Sequence, residues 1–218
     1  NCASKNIPSR AEVQNVDYLI NEGKRLWDQR IDSSAFEEAE HFINLAYKQR
    51  KGDFMLSVLF SQVSFTKAYF FENDIQVQDS IFYQGSQSSK KAVIAHEDFI
   101  PIYNSSKGDS AFRLLSAIAD APISTVPGLY WWGVNLAMYL NNQPVLDRIK
   151  YRELLEVIMH RVISLDPGFY FGGPYRFFGS LYTRIPGIEL SQAKTYFDQA
   201  ITAHPEYLGN KVLMAQFY

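Results

Sequence analysis

The stretch Tyr175-Arg176-Phe177-Phe178-Gly179-Ser180-Leu181-Tyr182, followed after Pro186-Gly187 by Ala193, Phe197, Ala200 and Pro205, decides how this chain folds. Tyr175, Phe178, Gly179 and Tyr182 fall three and four residues apart, on one face of a helix. Ala193, Phe197 and Ala200 do the same on a second helix, which Pro205 ends. Gly and Ala let two antiparallel helices approach closely while the large residues between them interlock. Pro186-Gly187 supplies the turn.

This is the spacing of a tetratricopeptide repeat, with a join two residues longer than the plain unit. A degenerate copy precedes it, with Trp132, Gly133 and Leu136 followed by Leu155, Met159, Val162 and Pro167, and about ten extra residues between its helices. Another lies near the N-terminus, with Gly23 and Leu26 followed by Ala39, Ile43 and Ala46. Helical periodicity fills much of the rest. Leu56, Leu59, Phe60 and Val63 keep it over Met55–Phe71, and Leu154, Leu155, Ile158, Val162 and Leu165 over Tyr151–Leu165. Ser34 to Glu37 fits a capping box, the helix it starts should stop near Gly52, and Asp53 can cap the next. The polar stretches Gln84–Lys91 and Asn104–Ser110 read as surface connections. The expectation is an all-α fold, a superhelical stack of antiparallel helix pairs. Residues 1–10 form an N-terminal tether and residues 11–218 a single domain.

Composition narrows the function. The 218 residues carry 21 basic and 23 acidic side chains, a net charge of -2, without the basic stripe that a nucleic-acid binder needs. No apolar run approaches the ~18 residues that cross a bilayer, so the chain reads as a soluble domain. Its one cysteine excludes an internal disulfide and a zinc site of several thiolates.

The run Leu165-Asp166-Pro167-Gly168-Phe169-Tyr170-Phe171-Gly172-Gly173-Pro174-Tyr175-Arg176-Phe177-Phe178-Gly179-Ser180-Leu181-Tyr182 resembles the signature of the T-component of TRAP transporters. So do Pro127-Gly128-Leu129-Tyr130-Trp131-Trp132-Gly133 and Asn210-Lys211-Val212-Leu213-Met214-Ala215-Gln216-Phe217-Tyr218. The resemblance covers residues 120–218 well and the N-terminal helices loosely. It implies a periplasmic, lipid-anchored scaffold of degenerate repeats that works beside the solute-binding P-component of the transporter.

Cys2, followed by the polar stretch Ala3–Arg10, then looks like the lipidated first residue of a mature bacterial lipoprotein; the plain alternative is an incidental exposed thiol. Gly172-Gly173-Pro174 precedes a helix whose first N–H groups, with Arg176 one turn in, could hold an anion. Alternatively the glycines satisfy backbone geometry alone, and Arg176 pairs with Asp166 to lock the turn. Tyr130, Trp131 and Trp132 project about 100° apart on a helix and cannot share one core face. With Asn135, Phe171 and Tyr175 they could form an aromatic pocket with sparse polar groups, the usual small-ligand design. The alternative is packing of the long insertion over the stack.

For catalysis the residues offer little. His41, His96, His160 and His204 are scattered, His160 pairs at most with Glu156 on a helix surface, and neither a metal-ligand spacing nor a nucleophile elbow is present. No enzyme, metal or cofactor is expected. The leading reading is a scaffold that docks the P-component, tied to a membrane only through its lipid, and that can bind or pass a hydrophobic small ligand. A generic tetratricopeptide adaptor for peptide partners is the other reading. It leaves Gly172-Gly173-Pro174-Tyr175-Arg176 unexplained. Exposed aromatics predict a homo-oligomer, a trimer being one admissible number.

Overall fold

The computed structural model describes residues 10–216 except 186, with side chains from residue 15 onward. Cys2 and the tether up to residue 9 lie outside the described residues. Eleven α-helices and no strand occur among the described residues. They are α1 (Arg10–Trp27), α2 (Ser33–Gln49), α3 (Phe54–Phe70), α4 (Ile75–Ile94), α5 (Phe99–Ser105), α6 (Ser110–Ala119), α7 (Val126–Leu140), α8 (Val145–Leu165), α9 (Phe169–Tyr182), α10 (Leu190–Ala203) and α11 (Leu208–Ala215). The chain is an all-α stack of antiparallel pairs.

Each sequence unit becomes a helix pair in which one glycine sets the contact. A Cβ on Gly23 would come within 2.8 Å of Ile43 in α1/α2, and one on Gly179 within 2.7 Å of Phe197 in α9/α10. In α7/α8, a Cβ on Gly133 would meet Met159 at 2.6 Å. Helix axes can close to the short end of the usual ~8–10 Å range only where such a residue leaves room. The ten extra residues of the middle unit form no loop. They lengthen α8 at its N-terminal end, and only residues 141–144 join it to α7.

Two of the expected boundaries move. Asp32, not Ser34, caps α2, its side chain accepting from the Ala35 N–H at 2.9 Å; an ionised acceptor there opposes the positive end of the helix. Asp53 caps α3 as expected, accepting from Leu56 N–H at 2.9 Å. The polar stretch Gln84–Lys91 is no surface connection but the second half of α4, with Gly85, Ser86, Ser88 and Ser89 buried. Serine is small enough to pack between helices, and its hydroxyl can donate a hydrogen bond to a backbone carbonyl. Ser61 Oγ donates to Gly85 O at 2.7 Å and Ser88 Oγ to Ser57 O at 3.1 Å, which joins α3 to α4. Asn104–Ser110 does bridge α5 and α6.

Two cores result. Val16, Leu19, Leu26, Phe36, Ile43 and Leu59 unite α1–α3. Trp132, Leu136, Leu155, Met159, Val162 and Phe178 belong to the larger cluster around α7, α8 and α9. The short pair α5 and α6 flanks the stack, with α6 against α8. No described helix is long and apolar enough to cross a membrane.

Candidate functional site

A cavity of about 880 Å³ lies inside the stack. That is within the ~300–1,000 Å³ of small-ligand sites. Its walls come from the α1–α2 turn, the C-terminal half of α3, α7, the first half of α8, α9 and α11. On α8 the lining residues Val145, Arg148, Ile149, Arg152 and Leu155 recur three and four apart, one continuous face. The extra N-terminal turns of that helix therefore form a wall.

The aromatic triplet divides its work. Tyr130 and Trp131 both line the cavity, while Trp132 is 1 % exposed and belongs to the core, with Lys90 Nζ 5.8 Å from its ring centre. Asn135 does not reach the cavity. It is fully buried, and its Nδ2 donates to Trp131 O at 3.0 Å and to Ser61 O and Oγ at 3.1 Å each, clamping α7 against α3.

The backbone at the start of α9 is unusual. Tyr170 (φ 48°), Phe171 (φ 60°) and Gly172 (φ 71°) form a left-handed turn. Each non-glycine residue in that region costs about 1–2 kcal/mol, so the turn needs support from outside. Arg176 supplies it. Its guanidinium donates to Tyr170 O at 3.2 Å and Phe171 O at 3.2 Å, to Asn210 Oδ1 at 2.6 Å and to the Tyr130 hydroxyl at 3.3 Å. It also lies 4.8 Å from the centre of the Tyr207 ring. Asn210 Nδ2 in turn donates to Phe171 O and Ala200 O, which ties α10 and α11 to the same turn. The pairing of Arg176 with Asp166 is not formed, because the left-handed carbonyls and Asn210 take its donors.

The turn sets which neighbours face the cavity. Tyr170 and Gly173 line it, and a Cβ on Gly173 would sit 2.5 Å from the Tyr130 hydroxyl. Phe171 points away, 45 % exposed and stacked on Tyr207 at 4.7 Å. Gly172 is buried against Ala200, and Tyr175 lies over α10 in a separate open depression with Thr195 and Asp198. Of the residues singled out in the sequence, the fold brings Tyr130, Trp131, Gly173 and Arg176 to one cavity. Sequence reasoning missed Tyr170, Tyr207, Arg148 and Arg184, and the anchoring part of Asn210, although Asn210 opens the family-like C-terminal run.

The electrostatics are one-sided. Among the described residues five arginines, Arg30, Arg148, Arg152, Arg176 and Arg184, line the cavity and no Asp, Glu, Lys or His does. Burial pushes the Tyr130 phenol up to about 12, against the opposing pull of Arg176. The remaining lining is aromatic and aliphatic, with Ser180, Thr66, Asn141 and Gln216 as neutral polar groups. The histidines keep apart: His160 packs on the Phe178 ring at 4.5 Å, leaving Glu156 to Arg152, and His204 sits beside Glu206. Among the described residues no group of three acidic, His or Cys side chains could hold a metal ion. The described lining thus offers binding surface and positive charge.

Residues 81–218 match the family model described as TRAP transporter T-component. A comparison with curated proteins finds no match.

Proposed function

The chain belongs to the TRAP transporter T-component family, and from that premise we propose that it docks the periplasmic P-component over the mouth of the cavity and holds or passes a hydrophobic small ligand. The observation that carries this reading is the rim. Ile31 (100 % exposed), Phe70 (67 %), Ile149 (58 %) and Val212 (54 %) line the cavity and still face solvent. Leu146, three residues before Ile149 on α8, is 79 % exposed as well. Exposed apolar side chains gathered around one opening are the usual mark of a protein contact, and large ones anchor it. A partner seated there would cover the patch and open its own ligand site directly onto the cavity. In this reading Cys2 carries the lipid and the domain stands in the periplasm as a membrane-tethered lipoprotein.

Sedimentation of the full chain with its P-component at tens of micromolar tests the docking. A complex is expected, with Phe70→Glu weakening it at least tenfold. Independent sedimentation of the two proteins would refute it. Organic extraction of the purified chain followed by mass spectrometry should release a hydrophobic compound. Intact-mass measurement of the native protein should show diacylglycerol and acyl additions on Cys2.

A further inference from the structure

The five arginines of the cavity are not equivalent. Arg30 donates to Trp27 O at 2.9 Å and lies 4.7 Å from the Trp27 ring centre. Arg152 is paired with Glu156 at 2.9 Å, and Arg176 is consumed by the left-handed turn and Asn210. Arg148 and Arg184 are left. Neither side chain makes a hydrogen bond or ion pair among the described residues, and Arg148 Nε is buried without a partner among them. Both line the same cavity, and partial burial, opposed by Tyr69 and aided by the charge of Arg148, holds the Arg184 guanidinium below its ordinary range.

Arg148 and Arg184 bring two positive charges to one cavity lining without an acidic partner among the described residues, and the buried Arg148 Nε lacks a hydrogen-bond acceptor, an arrangement that burial makes costly. An anion there would supply the missing acceptor and balance the charge, and the planar forks suit carboxylate or phosphate oxygens. The same lining includes Tyr69 and Phe70 of α3, Val145 and Ile149 of α8 and Leu181 of α9, which would accommodate an apolar chain.

We propose that the cavity takes an amphipathic anion, a single apolar chain ending in a carboxylate or phosphate head that sits between Arg148 and Arg184. This rests on the reading of the cavity as a ligand site and adds the chemical class of the ligand. The arginines select the head, and the aromatic and aliphatic walls take the chain irrespective of its identity.

Calorimetric titration of the delipidated full chain with dodecanoate, monododecyl phosphate, dodecan-1-ol and acetate tests it. Both chain-bearing anions are expected to bind at least tenfold more tightly than the alcohol, acetate to show no measurable binding, and added salt to narrow the gap. The double variant Arg148→Gln/Arg184→Gln should bind the alcohol as before and lose the preference for the anions. Circular dichroism of that variant checks its fold, and the head-group series on the unmodified chain stands without it. Equal binding of alcohol and anions would overturn the anion site while leaving the cavity a ligand site. Retention of the preference in a folded double variant would move the head elsewhere and also overturn it. Binding of none of the four would remove the ligand reading altogether, without bearing on the complex with the P-component.

Discussion

At the scale of single residues, strain and its support sit side by side. Tyr170 and Phe171 hold left-handed conformations that the chain would not adopt alone, and Arg176 and Asn210 hold their carbonyls there. Arg176→Gln removes the charged donors and leaves those carbonyls and Asn210 Oδ1 short of partners. It should cost about 3 kcal/mol, the scale of buried hydrogen bonds to a charged group. Urea denaturation would register it, and a loss below ~1 kcal/mol would contradict this account. Tyr130 reports on the same place through pH. Its folded pKa is raised from 10.0 to about 12, so the folded protein keeps the phenol protonated where an unfolded chain ionises it. That stabilisation is complete below pH 10 and is lost as pH rises through 12, amounting to about 3 kcal/mol. Unfolding curves between pH 9 and 12 should therefore fall more steeply for the native chain than for Tyr130→Phe; parallel curves would refute it. The sequence marks this region through Gly172, Gly173 and Arg176. It hides the partner, since Asn210 lies 34 positions from Arg176 along the chain.

At the scale of elements, the glycine of each first helix carries the pairing, and the partner's flexibility sets how much a substitution costs. Gly179 faces the rigid ring of Phe197, whereas Gly133 faces the terminal methyl of Met159. Gly179→Ala should destabilise by about 2 kcal/mol, and Gly133→Ala by less, because a methionine can swing aside and a packed phenyl cannot. Thermal unfolding of the two variants in parallel would compare them, and the reverse order would count against the scheme. These pairs were legible because size and spacing alone define them. The contact between α3 and α4 was not: Gly85, Ser86, Ser88 and Ser89 look like a polar connection, since hydropathy counts a serine hydroxyl as wet. In the fold, smallness matters more than polarity, and the Ser61 and Ser88 hydroxyls donate hydrogen bonds to carbonyls of the facing helix. The cap of α2 slipped for a related reason. Asp32, Ser33 and Ser34 are all good caps, and which one is used depends on where the preceding turn lets the helix begin.

At the scale of the whole molecule, the stack curls until its ends share one cavity: Arg30 from the α1–α2 turn and Val212 from α11 line the same walls. The N-terminal pair nevertheless belongs to a separate core and packs mainly on α3. Stability in such stacks is largely a sum of neighbour contacts, so an end pair opens more readily than the middle. Amide exchange should be fastest in α1 and α2 and slowest in α7, with uniform protection as the contrary result. The all-α class and the helix pairs could be read from periodicity. The cavity could not, since no local pattern records that residues from opposite ends of the chain will meet.

The long α8 bears on how such proteins could be redesigned. A regularised array built from uniform units would drop the turns that carry Val145, Arg148 and Ile149. It would still fold, and by the usual measures of repeat design it would be an improvement. It would also be missing one side of its chamber. The wall that α8 adds to the cavity exists because the stack departs from a uniform repeat there.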